Sequence, residues 1–193
     1  MASAAILVGG RAVRFGGQDK HALVVGGRSI FDRQVEALLQ VTDDILVVGG
    51  HGQGLTKGLR HVSDRAPDSG PLGGLDAALT AARDAELVLI ACDMPWVTAP
   101  FLAHLLALTA EADAVVPRTE RGYHPLCGAY TRACHPAVQR RVADRRLSMR
   151  GLLEEVRVRT VFGPEIEQFG EPARLLANVN TPDDLKALLF HEP

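Results

Sequence analysis

Cysteine is scarce in this chain. Its 193 residues include three, Cys92, Cys127 and Cys134. The number is odd and no CxxC occurs, which argues against a disulfide framework or a structural zinc site and for a reducing compartment. Seven histidines are present, but no HExxH pair. No apolar stretch approaches the roughly 20 residues a membrane helix needs. The opening MASAAILVGG is interrupted by Gly9 and Gly10 too early for the apolar core of a signal peptide. An excess of one charge is also missing: the formal net charge is -2, whereas a dedicated nucleic-acid binder usually carries a basic surplus. The interleaved aromatics of a single-strand binder are not evident either. No linker, composition break or internal repeat divides the chain. These absences lead to the expectation of one cytoplasmic domain over residues 1–193, with neither a membrane nor a nucleic acid as partner.

What is present suits a packed core. The apolar fraction is 47% and the charged fraction 23%, ordinary values for a globular protein, and a domain of this length buries roughly 70% of its unfolded surface. Short, nearly unbroken apolar runs at 4–8, 44–48 and 86–91 read as central strands buried on both faces. Residues 59–62 make a shorter strand, 112–116 and 126–130 two more, and 156–162 alternate as an edge strand does. Helical spacing is seen at 29–39, with Ser29 as cap, at 75–82, at 100–108 and in the basic stretch 132–146. A last helix follows Thr181, with Pro182 at its first position. Strands thus alternate with helices. The expected fold is α/β: a single Rossmann-like domain with a mainly parallel, helix-covered sheet. In such sheets ligands sit beyond the carboxyl ends of the strands.

Three strand-following segments would meet on that edge. The first is VGGRAVRFGGQDK, after the 4–8 strand. Glycines there either make a surface turn or let main-chain N–H groups approach a phosphate, with Arg11, Arg14 and Lys20 to neutralise it. Neither GxGxxG nor the GK[ST] ending of a Walker loop is present. The second is SDRAPDSGPLGG, with Asp64, Gly70, Gly73 and Gly74. It reads either as a contact to a base or ribose or as a left-handed lead-in to a helix, and Asp64 either as a site carboxylate or as a turn residue. The third is CDMP. Asp93 there either caps its turn or holds Mg²⁺, which takes one or two protein carboxylates together with phosphate oxygens and water. Two further segments carry the same ambiguity. His124 either shapes a turn before Pro125 or lines an acceptor site. The arginines at 140, 141, 145, 146, 150, 157 and 159 form a solvated face, or contact phosphates, or dock an acidic partner.

These motifs together resemble the molybdenum cofactor guanylyltransferase (molybdopterin-guanine dinucleotide synthase) family of the nucleotidyltransferase superfamily. LVGGRAVRFGGQDK is similar to its LAGG…RMGG.DK signature, GPLGG to GPLAG, CDMP to CD.P, YHPL to its HP segment and NVNTPDDL to NVNTPEEL. The likeness runs nearly the full chain, in order and at sensible spacing. It implies a nucleotidyltransferase that joins GMP from GTP to the terminal phosphate of the molybdenum–molybdopterin cofactor and releases pyrophosphate. It implies Leu7, Val8, Gly9, Gly10, Lys20, Asp64, Gly70 and Asp93 around the nucleotide, Arg14, Lys20 and Asp93 in catalysis, and Mg²⁺ on Asp93. Arg150, in SMRGLL, and Asn178 and Asn180 would face the acceptor cofactor, although strand-end turn bonding is the other reading of the asparagines. GTP and molybdenum–molybdopterin are the implied substrates, with delivery to molybdoenzymes or their chaperones.

Three positions depart from the family pattern. Val8 stands for Ala in LAGG, Gly73 for Ala in GPLAG, and Gly49 for an Asn after the second strand. The last bears on base choice, so CTP or another phosphorylated acceptor stays open. The Gly9–Gly10 pair is like the guanylyl branch rather than the LAAG of related cytidylyltransferases. A non-catalytic module that binds or delivers the cofactor is the rival from another class.

Overall fold

The computed structural model describes residues 1–8, 24–25, 27–49, 58–63, 66, 68–179 and 184. The apolar runs become the middle of the sheet. β1 (Ser3–Leu7) is buried along its whole length. It pairs in parallel with β4 (Asp44–Val48) on one side and with β6 (Glu86–Ala91) on the other. Its side chains alternate between two cores. Ala4 and Ile6 join Phe31, Leu38, Val47, Ile90 and Phe101 on one face. Ala5 and Leu7 join Leu46, Leu72, Leu75, Leu89 and Tyr130 on the other. A strand covered on both faces needs an apolar residue at every position, which is why these runs do not alternate with polar residues.

The remaining elements follow in chain order. β2 (Val24–Val25) and β3 (Arg28–Ser29) form a small antiparallel ribbon leading into α1 (Ile30–Leu39). The Ser29 hydroxyl caps α1 by accepting from the Asp32 N–H at 3.0 Å, as the sequence predicts. β5 (Arg60–Val62) lies beyond β4, and α2 (Gly70–Ala81) follows it. After β6 come α3 (Ala99–Ala107), β7 (Ala114–Thr119), β8 (Gly122–Tyr123) and β9 (Cys127–Thr131). α4 (His135–Ala143), α5 (Met149–Leu153), β10 (Val158–Val161), α6 (Gly163–Ile166) and α7 (Pro172–Leu175) complete the described elements. The sheet order is β10-β7-β9-β6-β1-β4-β5, with β8 pairing β7. The main path is parallel except for β9, which runs against both β6 and β7. Among the described residues no helix is long and apolar enough to cross a membrane.

Several boundaries differ from the sequence reading. α2 begins at Gly70 rather than Leu75, so GPLGG belongs to the helix. Pro71 fits the first helical turn, where a missing N–H costs no bond. Gly74 is there for packing: a Cβ on it would stand 2.8 Å from Leu7 Cδ2, so α2 lies close against β1. The 112–116 strand starts two residues later and continues to Thr119. Much of the expected polar loop RTERGYH is a hairpin, with Arg118 opposite Tyr123 and Thr119 opposite Gly122. The basic helix is shorter than 132–146: a 3₁₀ turn covers Arg132–Cys134 before α4. The final helix after Thr181 lies outside the described residues.

The arginine stretch is largely tied down. Arg140, Arg141 and Arg146 converge on Glu155 at 2.7 to 3.1 Å. Arg157 pairs with Asp113 and Arg159 with Glu165. The hydrogen bond from Arg140 and those of its neighbours hold the Glu155 carboxyl below the usual range. Arg140, Arg145, Arg146, Arg150 and Arg157 are nevertheless exposed, so the stretch makes a largely solvated face laced with ion pairs.

Candidate functional site

Parallel pairing brings the carboxyl ends of β1, β4, β5 and β6 to one edge, and main-chain bonds fix their relative height. Val8 N–H donates to Val48 O at 2.8 Å, Cys92 N–H to Leu7 O at 3.2 Å and Gly49 N–H to Val62 O at 3.0 Å. Because β9 runs the other way, its beginning reaches this same edge, and Ala91 N–H donates to Leu126 O at 2.8 Å. The HP segment therefore faces the CDMP turn, although it precedes its strand instead of following it.

Asp93 is half-buried in the turn after β6. Asn178 Nδ2 donates to its Oδ1 at 2.8 Å, and Val179 N–H donates to its main-chain carbonyl at 2.8 Å. Two segments 85 residues apart thus meet on one carboxylate. Hydrogen bonds to an ionised carboxylate favour that ionised form. Among the described residues no group of three His, Cys, Asp or Glu side chains gathers as a metal cluster. The donor set here, one carboxylate steered by an amide, fits an ion that keeps waters and phosphate oxygens as its other ligands.

Beside this pair lies a pocket of about 340 Å³, lined by Pro71, Met94, residues 123–127, Met149 and Asn178. His124 shapes the turn before Pro125, which is one of the two readings of the sequence. Its N–H donates to Pro117 O at 2.9 Å and its carbonyl accepts from Cys127 N–H at 3.0 Å, which shapes the turn, while its side of the turn also lines the pocket. Its ring shares a 2.8 Å hydrogen bond with the Thr119 hydroxyl. Burial, with Arg121 nearby, pushes the imidazole below its ordinary value, so it is neutral at pH 7. Arg150 is exposed on α5, whose N-cap Ser148 accepts from Gly151 N–H at 3.2 Å. Its guanidinium occupies the space that a Cβ on Gly122 would need, which places it over the hairpin beside the pocket. Among the described residues it has no ion-pair partner. Burial pushes the Cys127 and Cys134 thiols up to about 12, so neither of these two offers a nucleophile.

The other sequence-predicted residues divide. Leu7 and Val8 are at the edge, but their side chains are 8% and 5% exposed and belong to the two cores. Val8's extra bulk is thus taken up by the core. Gly70 has φ +58° at the start of α2, the left-handed lead-in that was one of the two readings of this segment. Gly49 has φ +81°. Asn tolerates that region better than other side chains, so a glycine can stand where the family pattern has Asn without changing the turn. Gly9, Gly10, Arg14, Lys20, Asp64 and Asn180 lie outside the described residues. One residue at the site escaped the sequence reading. Gln34, on α1, is 1% exposed and donates from Nε2 to Ala91 O at 2.7 Å and to Met94 O at 3.1 Å. Its signal was a polar residue four places after Ile30 and four before Leu38, on the buried stripe of an amphipathic helix.

The family model described as the MobA-like NTP transferase domain matches residues 4–160. A protein of Pelotomaculum thermopropionicum named "probable molybdenum cofactor guanylyltransferase" is 32% identical over 185 residues, covering 95% of this chain and 90% of that one. A molybdenum cofactor guanylyltransferase of Desulfosudis oleivorans is 27% identical over 183 residues, covering 94% and 91%. Among solved structures, molybdopterin-guanine dinucleotide biosynthesis protein A from Archaeoglobus fulgidus has a TM-score of 0.78 at 25% identity, covering 96% of each chain.

Proposed function

The chain belongs to the MobA-like NTP transferase family, among the molybdenum cofactor guanylyltransferases, and from that premise we propose that it transfers GMP from GTP to the terminal phosphate of molybdenum–molybdopterin. The observation that carries this reading is Asp93, held by Asn178 at the carboxyl end of β6 and next to the pocket.

In this reading the acceptor lies in the pocket along Met94, Met149 and residues 123–127, with its phosphate toward Asp93. Arg150 attracts the anionic cofactor, and neutral His124 offers a hydrogen-bonding group without a competing charge. An oxygen of the acceptor phosphate attacks the α-phosphorus of GTP in line. The new P–O bond forms as the bond between the α-phosphorus and the bridging oxygen breaks, and pyrophosphate leaves with that electron pair. The acceptor phosphate is already deprotonated at neutral pH, so no general base is required, and positioning with electrostatics carries the rate. Asp93 would hold Mg²⁺, which supplies Lewis-acid neutralisation of the phosphate charge. Arg14 and Lys20 are assigned to the leaving pyrophosphate by the family pattern.

The test is pyrophosphate release with Mg²⁺, purified molybdenum–molybdopterin and GTP or CTP offered separately. Release with GTP alone supports the reading. Release with CTP alone moves the chain to cytidylyl transfer, for which Val8 and Gly49 are the motivating departures from the family pattern. Binding of both substrates without release supports a delivery module instead. Asp93→Asn is expected to abolish turnover while leaving the thermal midpoint near wild type, and undiminished turnover in that variant removes the metal role.

A further inference from the structure

The turn that carries Asp93 is clipped from the far side of the sheet edge by one side chain. Gln34 sits on the buried stripe of α1, 57 residues before Ala91 and 60 before Met94, and its amide nitrogen donates to both carbonyls. These two carbonyls bracket Cys92 and Asp93, so the two N–H bonds of one amide fix the chord of the turn. Cys92 N–H on Leu7 O and Val179 N–H on Asp93 O each hold a single point, whereas Gln34 spans the turn.

The arrangement carries a penalty. Gln34 Oε1 is buried and, among the described residues, has no hydrogen-bond partner. A buried acceptor left without a partner is destabilising, and an apolar residue of the same length would pack into the Ile30, Phe31 and Leu38 surroundings without leaving one. A side chain kept only for packing would not be an amide.

We propose that Gln34 is a positioning residue for Asp93: by bridging Ala91 O and Met94 O it sets the direction in which the carboxylate leaves the turn, and so sets the affinity of the site for a divalent cation in the presence of nucleotide. The inference rests on the reading that Asp93 holds the metal. Groups behind a metal ligand that fix its orientation change metal affinity by about 10- to 100-fold when removed. The contribution of Gln34 belongs at the lower end of that range, because Asn178 and Val179 still hold Asp93.

The probe is Mn²⁺, with free ion counted by electron paramagnetic resonance at a fixed GTP concentration. The full-length wild type, Gln34→Met, Gln34→Asn, Asp93→Asn and Leu38→Ala are compared, each with a metal-free thermal melt. Gln34→Met keeps length and loses both donors. Gln34→Asn keeps an amide too short to span both carbonyls, and serves if the first variant does not fold. Leu38→Ala loses core packing one turn further along α1 without touching the turn. Weakening of Mn²⁺ binding by about tenfold in a folded Gln34 variant, with metal-free GTP binding unchanged and Leu38→Ala near wild type, supports the proposal. Wild-type Mn²⁺ affinity in the Gln34 variants, while Asp93→Asn loses it, overturns the proposal and leaves the function standing. Equal weakening in Leu38→Ala also overturns it, because the general stability of α1 would then be the cause. Wild-type affinity in Asp93→Asn overturns the metal role itself, and the inference with it.

Discussion

Asp44 is a place where stability and activity should separate cleanly. It opens β4, at the amino end of the strand and so at the sheet edge opposite the site. Its side chain is 2% exposed. One carboxylate oxygen accepts from the Ser3 hydroxyl at 2.6 Å and from Arg83 N–H at 3.1 Å. The other accepts from Arg60 and lies 3.6 Å from Arg83 Nε. Replacing Asp44 by Ala removes the central carboxylate of a charged network and leaves the buried Ser3 hydroxyl without its acceptor, while Arg83 N–H keeps its bond to Ser3 Oγ at 3.1 Å. Arg60 and Arg83 are 38% and 65% exposed and stay solvated when the carboxylate is gone, so the loss costs about 2 to 3 kcal/mol, still a sizeable share of the roughly 5 to 15 kcal/mol that holds a domain folded. At about 2 to 4 °C per kcal/mol for a chain of this size, the melting midpoint falls by roughly 5 to 10 °C. Asp44→Asn keeps the shape and loses the charge, and costs about 2 kcal/mol, as bonds to charged groups do. Burial raises the Asp44 pKa, but the bonds from Ser3, Arg60 and Arg83 more than offset this and leave it lowered. Its contribution is therefore complete above the ordinary aspartate value near ~3.9 and is lost as pH falls through the lower folded value. The assay is thermal melting of wild type and both variants at pH 7 and pH 3, with turnover measured well below the melts. The deficit of each variant should shrink at pH 3, and turnover should match wild type. A midpoint within about 2 °C of wild type for Asp44→Ala at pH 7 would refute the reasoning.

Two further predictions concern packing and the acceptor. Gly74→Val places a branched side chain where even a Cβ stands 2.8 Å from Leu7 Cδ2, and should destabilise by about 2 kcal/mol, read as a lower urea midpoint; an unchanged midpoint would mean that α2 does not lie tight on β1. Arg150→Ala should raise KM for the acceptor several-fold, with GTP KM and melting midpoint unchanged, because its guanidinium lies over Gly122 beside the pocket; an unchanged acceptor KM in steady-state kinetics removes it from the site.

The strands that could be read from sequence are those whose burial is complete. DILVV and ELVLIA match β4 and β6 to the residue because a central strand admits no polar interruption. α1 was legible from its Ser29 cap and its spacing. GPLGG was not, since glycine and proline look the same in a loop and in a helix that starts with Pro71 and presses Gly74 on Leu7. The exposure of the arginine run was legible, but its partners, Glu155, Asp113 and Glu165, were not, because they are set by which strands become neighbours. The direction of β9 leaves no trace in its own residues. For the site, position on the edge was legible for Asp93, which follows a recognisable strand. The contact of Asn178 with it joins segments that only the fold brings together, and the clip from Gln34 crosses from a helix to a turn nearly sixty residues on.

The reversed course of β9 has an evolutionary consequence. On the proposed function, the side of the edge assigned to nucleotide is made of strand ends whose heights are locked by the β4-β1-β6 register. The pocket side is made by a hairpin that enters the sheet through β9, and hairpin tips accept insertions and exchanges that strands do not. Changes between Thr119 and Leu126 can therefore redraw the wall of the pocket while the edge built by the parallel strands keeps its shape. A lineage built on this plan can diversify in what it modifies by editing one short segment, and retain the donor it inherited.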